Sequence, residues 1–444
     1  MLVNRDVLKA ELGLWQRELE DNILRFWYRA LDHENGGVFT CYTNDGATLL
    51  APDKYTWSQG RFLWNWSRNA ELARNGLIEG SAEEFLSHAR KTAAFLEQNV
   101  FLENGNCAFL LTKHGEKKEP VEGQGYDTSF YADCFVVSGF GEYARVSGEA
   151  RYFDLAYTLY QRIQKRLTEG TVRSDPYPAP RGFVPYAYGM IVLGVATELT
   201  RAARELKALA LEHLRAETTA KLARVLTCFH DQDDMRPFEM KAIGAADGTT
   251  LLERHITPGH TLECMWFCQH AAEEIGAVDR WQNAIVTASR FAFDRGWDKT
   301  HGGLLRYSDY TAENEAPQGT VRGGDPYEQL ICDTWDAKIW WVHSEALYTT
   351  LLLAVRTEDK AFWADYEMVR DYTMKVFPNP DKTVGEWVQI QTRQGEPMNK
   401  VVALPVKDPY HIMRNLQLLL EVLDGALKVS KDRLKSGVRS TEVE

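Results

Sequence analysis

Apolar residues recur at helical spacing along almost the whole chain of 444 residues. About twelve stretches place apolar side chains at positions i, i+3, i+4 and i+7, the pattern that predicts a helix with a buried face. The clearest of these stretches are residues 4–30, 57–74, 82–98, 128–146, 151–166, 185–201, 258–275, 337–356 and 410–427. No Pro- or Ser-rich linker divides them into groups, so the pattern favours a single helical domain.

A second pattern lies between the helices. A glycine or small polar residue repeatedly precedes a short alternating run and a polar turn, which is typical of a β-hairpin. The segments are ENGGVFTCYTNDG, NGNCAFLLTKHGE, HGGLLRYSDYTAE and GEWVQIQTRQGEP. Helix pairs alternating with hairpins predict an all-α (α/α)6 barrel, a ring of inner and outer helices around one central pocket. A helical solenoid is the alternative, but it would need terminal capping repeats that the sequence does not show.

The pattern also predicts the extent of the domain. We expect residues 1–428 to form one (α/α)6-barrel domain and residues 429–444, VSKDRLKSGVRSTEVE, to form a polar C-terminal tail. Single cores usually stop growing below this chain length, so one domain requires a repetitive ring.

The composition of the chain limits the classes of molecule that it is expected to bind. The 51 basic and 63 acidic residues give a net charge of −12, and no basic run or basic helix face is present. Nucleic acid and anionic membranes are therefore poor partners for this chain. The N-terminal segment MLVNRDVLKAELGLWQ is charged throughout and lacks the apolar core of a signal peptide, so we expect a cytoplasmic protein. Seven cysteines without a CxxC pair are typical of reduced thiols rather than of a disulfide framework or a zinc site.

A histidine and a glutamate stand three residues apart in TPGHTLECMWFC, at the start of a predicted helix. Thr257 is a candidate N-cap, and Pro258 suits the first helical position. His260 and Glu263 would then share one face, where the carboxylate can accept a ring N–H and fix the imidazole tautomer. The helix dipole opposes protonation of the histidine and the carboxylate favours it, a balance that suits a general base. A buried pair that satisfies only itself would show the same pattern.

The segment DAKIWWVHSEALYTTLLLA predicts an apolar helix that carries both polar and aromatic candidates. His343 and Glu345 are two residues apart, so at most one of them points fully into a central pocket. Trp340 and Trp341 offer a flat apolar surface for a sugar ring, although paired tryptophans are also common in cores.

Two other helix starts carry candidates. KDPYHIMRNLQLLLEVL places His411 and Arg414 three residues apart, although a lone histidine at a helix start is usually structural. DKYTWSQGRFLWNWSR brings Tyr55, Gln59 and Arg61 to the start of a tryptophan-rich helix. Arg61 can hold an oxygen anion there, and a surface ion pair is its ordinary alternative.

In this order, KYTWSQGR, PGHTLECMWF, WWVHSEAL and PYHIMRNL resemble the signature segments of the N-acylglucosamine 2-epimerase family. That family includes renin-binding protein, cellobiose 2-epimerase and the bacterial aldose–ketose isomerases. Lesser matches lie between them: DHENGGVFTCYTNDG, NCAFLLTKHG, GWDKTHGGL and GEW. The resemblance spans roughly residues 14–423. It implies an (α/α)6 barrel that epimerises C2 of a reducing sugar through a cis-enediolate, with no metal and no nicotinamide cofactor.

The resemblance also implies catalytic roles. His260 and His411 match two histidines on opposite sides of the sugar, one removing the C2 proton and the other delivering a proton to the opposite face. Glu263 matches the carboxylate that orients its histidine. Arg61 matches the arginine that holds the O1/O2 region of the sugar. Glu345 matches a helix carboxylate near the ring oxygen or hydroxyls, useful for ring opening.

For substrate binding, Trp266 and Trp341 match substrate-facing aromatic residues, and Tyr55 and His343 are expected in the same pocket. Dimers are common among these relatives, so a homodimer is the expected assembly. ATP can activate relatives that act on N-acyl sugars, but no phosphate-cradling glycine loop stands out here, so we do not predict nucleotide activation.

Departures from the family pattern bear on the substrate. PYAYGMIVLGVATEL lacks the histidine of cellobiose epimerases and aldose–ketose isomerases, and its Met190 resembles the N-acylglucosamine branch. Against this, Thr334 stands where that branch often carries a glutamate. We therefore predict an epimerase of the N-acetylglucosamine/N-acetylmannosamine type. The alternative is an aldose–ketose isomerase, or a 2-epimerase acting on a neutral sugar such as mannose or glucose.

Two other classes stay open at this point. A glycoside hydrolase on the same barrel would use a pair of carboxylates, for which YDTSFYAD offers Asp127 and Asp133. A non-catalytic sugar-binding protein would keep the aromatic residues but would not need both His260 and His411.

Overall fold

The computed structural model describes residues 2–244, 246–312, 315–398, 400 and 405–435. In chain order the α-helices are α1 (Arg5–Arg17), α2 (Arg25–Arg29), α3 (Thr56–Arg74), α4 (Ala82–Asn99), α5 (Phe130–Ser147), α6 (Ala150–Glu169), α7 (Tyr186–Leu206), α8 (Leu211–Cys228), α9 (Leu251–Arg254), α10 (Pro258–Ile275), α11 (Val278–Gly296), α12 (Pro326–Thr334), α13 (Trp340–Thr357), α14 (Lys360–Val376) and α15 (His411–Lys435). A π-helical stretch, Glu18–Leu24, joins α1 to α2 without a break.

The long helices form two concentric rings. The inner ring closes on itself, because α3 contacts α5, α5 contacts α7, and the contacts continue through α10, α13 and α15 back to α3. Each inner helix also packs against one outer helix: α4 on α3, α6 on α5, α8 on α7, α11 on α10, α14 on α13 and α1 on α15. Closure between α15 and α3 confirms the (α/α)6 barrel and contradicts the solenoid alternative.

Inner helices approach one another closely where glycine allows it. A Cβ atom on Gly60 of α3 would lie 2.4 Å from the carbonyl oxygen of Phe135 on α5. On the facing side, a Cβ atom on Gly139 would lie 2.5 Å from the carbonyl oxygen of Gly60. Any larger residue would push the two backbones apart, so these glycines set the spacing of α3 and α5.

Eleven short strands are found among the described residues: β1 (Cys41–Tyr42), β2 (Leu49–Ala51), β3 (Lys54–Tyr55), β4 (Leu110–Leu111), β5 (Lys117–Lys118), β6 (Phe183–Pro185), β7 (Met240–Ala242), β8 (His255–Ile256), β9 (Ser308–Asp309), β10 (Lys338–Ile339) and β11 (Ile390–Gln391). The strand pairs β1–β2 and β4–β5 are local hairpins, as the alternating segments predict, and a single antiparallel bridge between Gln391 and Pro397 closes the turn in GEWVQIQTRQGEP. Otherwise the strand before an inner helix pairs with the strand after the following outer helix, as in β3–β4, β6–β7, β8–β9 and β10–β11.

This pairing corrects the expected repeat. Each helix pair is flanked in sequence by two strands that pair with each other, an arrangement called here a strand clasp. The strands therefore lie at the N-terminal ends of the inner helices. The clasp also corrects the start of α13, since β10 occupies Lys338–Ile339 and the helix begins at Trp340 rather than at residue 337. The last helix continues to Lys435, past the expected start of the tail at residue 429, and residues 436–444 lie outside the described residues.

Buried ion pairs join the inner helices toward their C-terminal ends. Arg68 Nε lies 2.8 Å from Glu142 Oε1, and both side chains are 1% exposed. Arg145 also binds Glu142 and reaches Glu71 and Glu205. These charged groups link α3, α5 and α7 far from the strands. None of the described helices is both long and apolar enough to cross a membrane.

Candidate active site

A cavity of about 300 Å³ lies within the inner ring, at the end where the inner helices begin. Its lining is mostly apolar and aromatic with a few charged groups, which is typical of a small-molecule site. Six of the residues predicted from sequence line it: Arg61, His260, Glu263, Trp266, Trp341 and His411. Because each of them sits in the first turns of an inner helix, ring closure alone brings them to the same space.

His260 is held by a carboxylate that the sequence did not indicate. Its Nδ1 lies 2.7 Å from Oε1 of Glu239, the residue just before β7. A carboxylate only accepts, so Nδ1 carries the hydrogen and Nε2 keeps its lone pair. The expected His260–Glu263 pair is therefore wrong. Thr257 occupies the N-cap position of α10, but its side chain makes no capping hydrogen bond.

Burial and charge compete at His260. Burial lowers the pKa of the imidazole, but the carboxylate of Glu239 raises it by charge and by hydrogen bond, and Glu263 adds to that effect. The pKa of His260 ends above its ordinary value. Glu239 is thus the main group that favours protonation of this half-buried histidine.

We expect Glu239→Gln to lower the pKa of His260, because glutamine keeps a hydrogen-bond acceptor but removes the charge that favours the imidazolium. NMR titration of protein labelled at the histidine Cε1 carbon measures the midpoint, and His260→Gln assigns the resonance. Glu212→Gln, an exposed glutamate on α8, is the control and should leave the midpoint in place. A midpoint unmoved by Glu239→Gln would contradict the role given to that carboxylate.

His411, the first residue of α15, has its own carboxylate. Its Nδ1 lies 2.6 Å from Oε1 of Glu345, so it too carries its hydrogen on Nδ1. Glu345 is fully buried and also accepts a hydrogen bond from the indole N–H of Trp266 at 2.7 Å. Burial raises the pKa of Glu345, but the charge of Arg414 and the bond from His411 outweigh it and lower the pKa to about 2.

These contacts correct the role expected for Glu345. It does not line the cavity, so it is not placed near the ring oxygen or hydroxyls of a bound sugar. It stands behind His411 and fixes the orientation of that imidazole. Glu345 is therefore a positioning residue.

Arg414, three residues after His411, connects two carboxylates of the site. One guanidinium nitrogen donates to Glu263 at 2.7 Å and to Glu345. Its guanidinium also lies 4.2 Å from the centre of the Tyr410 ring. Arg414 therefore lies between the two buried carboxylates as their shared cation.

The same cluster presents the ligand types of a metal site. Glu263, Glu345 and His411 each place one oxygen or nitrogen within 4.8 Å of the others. Arg414 already supplies a cation to both carboxylates. The donor set is therefore better matched to a guanidinium than to an added metal ion.

Arg61 enters the cavity from α3. Its guanidinium lies 3.9 Å from the centre of the Phe135 ring and 3.4 Å from Oδ1 of Asp408. Asp408 also accepts from the backbone N–H of Tyr410 and of His411, so it caps the start of α15. Arg61 thus places a positive charge near His411, on a carboxylate that the sequence did not single out.

Two predicted pocket residues lie outside the cavity lining. Tyr55 lies in β3 and packs edge-on against Phe109. His343 is fully buried, accepts from the Leu304 N–H at 2.9 Å through Nε2, and stacks on Tyr372. Burial lowers the pKa of His343 to about 3, so this imidazole is neutral and structural.

The carboxylates offered for a glycoside hydrolase also lie elsewhere. Asp133 is buried and pairs with Arg166 at 2.6 Å, while Asp127 accepts hydrogen bonds from Asn104 and Asn106. Neither aspartate lines the cavity. This arrangement removes the observation on which the hydrolase alternative rested.

The fold belongs to a known class. The solved structure of cellobiose 2-epimerase from Bacillus thermoamylovorans matches with a TM-score of 0.74 at 20% identity, covering 93% of this chain and 99% of that chain. The architecture is that of the (α/α)6-barrel sugar epimerases. The sequence model of the N-acylglucosamine 2-epimerase family matches residues 37–415. The chain belongs to the N-acylglucosamine 2-epimerase family and is by class an isomerase, a carbohydrate 2-epimerase.

Named relatives fall on two branches. N-acylglucosamine 2-epimerase from Homo sapiens is 29% identical over 433 residues, which cover 95% of this chain and 92% of that protein. Cellobiose 2-epimerase from Ruminococcus albus is 22% identical over 432 residues, which cover 93% of this chain and 98% of that protein. The similarity thus extends over nearly the full length of both.

Proposed function

We propose that this chain interconverts the C2 epimers of an N-acylated hexosamine, of the N-acetylglucosamine and N-acetylmannosamine type, with His260 and His411 as the two acid–base groups. One observation carries the proposal. Each histidine is bound at Nδ1 by its own buried carboxylate, and both imidazoles lie against one cavity beside the same indole, Trp341.

The chemistry follows from the tautomers. Carboxylates at Nδ1 leave Nε2 of each ring for proton transfer at the cavity. In the open-chain sugar, one neutral imidazole takes the C2 proton and leaves an enediolate, and the other, as imidazolium, gives a proton to C2 from the opposite face. A positioned general base contributes about 10²–10⁴-fold. No metal or nicotinamide takes part in this scheme.

The positively charged guanidinium of Arg61 can stabilise the negatively charged oxygen of the enediolate. Proton removal from C2 builds negative charge on O1, and a charged donor aimed at it contributes roughly 2.7–4 kcal/mol at comparable sites. The contact of Arg61 with Asp408 at 3.4 Å is long for a charge-assisted hydrogen bond, so its guanidinium keeps N–H donors for a substrate oxygen.

The substrate class rests on the wall opposite the acidic cluster. Helix α7 lines the cavity with the apolar Met190, Ile191 and Val195 and, further along, with Thr197 and Glu198, and it carries no histidine there. An apolar wall suits the methyl group of an N-acyl substituent better than a second sugar ring rich in hydroxyls. The higher identity to the N-acylglucosamine 2-epimerases supports the same branch.

An aldose–ketose isomerase remains the rival outcome, because one base that moves the proton from C2 to C1 gives a ketose. His260 and His411 have similar surroundings, each with a carboxylate at Nδ1, and this similarity supports the epimerase. An isomerase needs only one of these histidines to transfer a proton to or from carbon. We also propose a cytoplasmic location, supported by cysteines that are all free thiols. The homodimer stays a prediction.

The test uses purified protein with separate sugars in D₂O. N-acetylglucosamine, N-acetylmannosamine, glucose, mannose and cellobiose are each followed by NMR for C2 deuteration and for product identity. We expect the two N-acetyl sugars to interconvert and to gain deuterium at C2. Interconversion of a neutral sugar instead of the N-acetyl sugars would contradict the proposed substrate class. A ketose product would show that the reaction is isomerisation. No exchange with any sugar would contradict the proposal as a whole.

A further inference from the structure

One aromatic residue touches both histidines. In the inner ring α13 stands between α10, which carries His260, and α15, which carries His411. Trp341, in the first turn of α13, lies with its ring centre 5.0 Å from the His260 ring at an interplanar angle of 29°. The same indole lies 5.9 Å from the His411 ring at 42°. The indole therefore spans the gap between the two imidazoles.

The backbone of α10 makes room for this indole. A Cβ atom on Gly259, the residue before His260, would lie 2.5 Å from Cζ3 and 3.0 Å from Cη2 of Trp341. It would also lie 2.8 Å from Cγ2 of Val342. Real Cβ atoms do not approach so closely, so the indole packs directly on the helix backbone. Trp341 is thus seated against α10 at the very turn that carries His260.

Two contacts then define the plane and rotation of the His260 ring. Glu239 binds Nδ1 at one edge, and Trp341 covers the ring surface. Among the described residues Nε2 has no protein hydrogen-bond partner, so it is the nitrogen left to face the cavity. A ring fixed on an edge and a face has little freedom to turn, which is the preorganisation that proton transfer at one carbon needs.

Charged and titratable groups around His260 come from several elements. Glu239 and Glu263 favour its protonation, while Arg306 and His255 oppose it. The indole adds the negative face of its ring, which attracts an imidazolium that forms beside it.

We propose that Trp341 is a positioning residue for both histidines: its indole, seated by Gly259, sets the gap between the two imidazoles and supports each one when it is protonated. Trp341 then does more than offer a flat surface to a sugar. For catalysis this inference rests on the proposed function, whereas its structural part concerns the histidines themselves and holds without any substrate.

The histidine NMR titration tests it on the substrate-free protein. Trp341→Leu should lower the midpoint of His260 by about half a unit, the size of a cation–π contact at a partly exposed site. Trp341→Phe keeps an aromatic face and should recover most of that shift. Trp297→Leu, which removes an indole stacked on Phe293 outside the cavity, is the matched control and should leave the midpoint unchanged.

Gly259→Ala tests the position of the Trp341 indole separately from its aromatic character. The added methyl group leaves the indole present but displaces it from the backbone of α10. We expect this substitution to shift the midpoint in the same direction in the wild-type background and to have a smaller effect in Trp341→Leu, where only the close contact with Val342 remains, so that the two changes are coupled. Equal midpoints in wild type and Trp341→Leu, or the same Gly259→Ala effect in both backgrounds, would overturn the inference.

Kinetics separate this role from sugar stacking. A positioning role predicts that Trp341→Leu lowers kcat and moves the pH profile of kcat, whereas stacking on the sugar alone raises KM and leaves the titration unmoved. If wild-type protein epimerises none of the sugars, the proposed function fails, and the titration still decides the part played by Trp341.

Discussion

His260→Gln and His411→Gln should each lower kcat/KM for epimerisation by about 10²–10⁴-fold, the usual contribution of one positioned acid–base group. Glutamine keeps a polar amide of similar size in the cavity wall, while one proton carrier is lost. Conversion of N-acetylmannosamine to N-acetylglucosamine, followed by NMR, measures the loss.

A surface histidine serves as the control for these two variants. His213 lies on α8 beside Tyr157, far from the cavity lining, and His213→Gln should keep the wild-type rate. If either His260→Gln or His411→Gln keeps more than about a tenth of the wild-type kcat/KM, the acid–base role of that residue is wrong.

The second large effect is on stability. Arg414→Met should lower the free energy of unfolding at neutral pH by about 3–5 kcal/mol, because it leaves the buried carboxylates of Glu263 and Glu345 without their cation. Urea unfolding measures the change. Arg204→Met is the control, since Arg204 is 44% exposed in its pair with Glu274 and should cost about 1 kcal/mol or less.

The pH dependence of this effect has a definite sign. The folded pKa of Glu345, about 2, lies below its ordinary value of 4.5, so its ionised form stabilises the folded protein above that value. This contribution disappears as pH falls from about 4.5 toward 2. Arg414→Met raises the folded pKa, so the difference between wild type and variant should be largest near neutral pH and shrink in acid. A cost that stays constant with pH would contradict the charge-based explanation.

Much of the barrel could be predicted from local pattern. Inner helices such as α10 could be predicted from apolar periodicity, because their buried side chains recur in consecutive helical turns. The strand clasps could not be predicted, because β8 and β9 are separated by a whole helix pair and short strands carry little pairing information. A hairpin was expected wherever alternation met a turn.

The candidate site also has features that the sequence could predict and features that it could not. Positions on one helix are fixed by its geometry, so Trp341 at the cavity places His343, two residues on, about 200° around the helix and away from it. Glu345, four residues on, returns to that side one turn deeper, where it meets His411 rather than a substrate. Spacing alone could have shown that His343 and Trp341 point in different directions.

Partners from different helices could not be read in this way. Glu239 reaches His260 from a segment before β7, and Arg414 reaches Glu263 across 151 residues of sequence. Both contacts depend on ring closure, which brings together helix starts that local patterns treat separately. The His260–Glu263 pair was expected because three-residue spacing is visible, whereas the actual pair depends on tertiary structure.

The most direct measurement follows C2–H exchange in D₂O by each single histidine variant with each pure epimer. Two imidazoles on opposite faces predict complementary results: His260→Gln should label only one of N-acetylglucosamine and N-acetylmannosamine at C2, and His411→Gln only the other. Labelling of both epimers by either variant, or of the same epimer by both, would contradict the account.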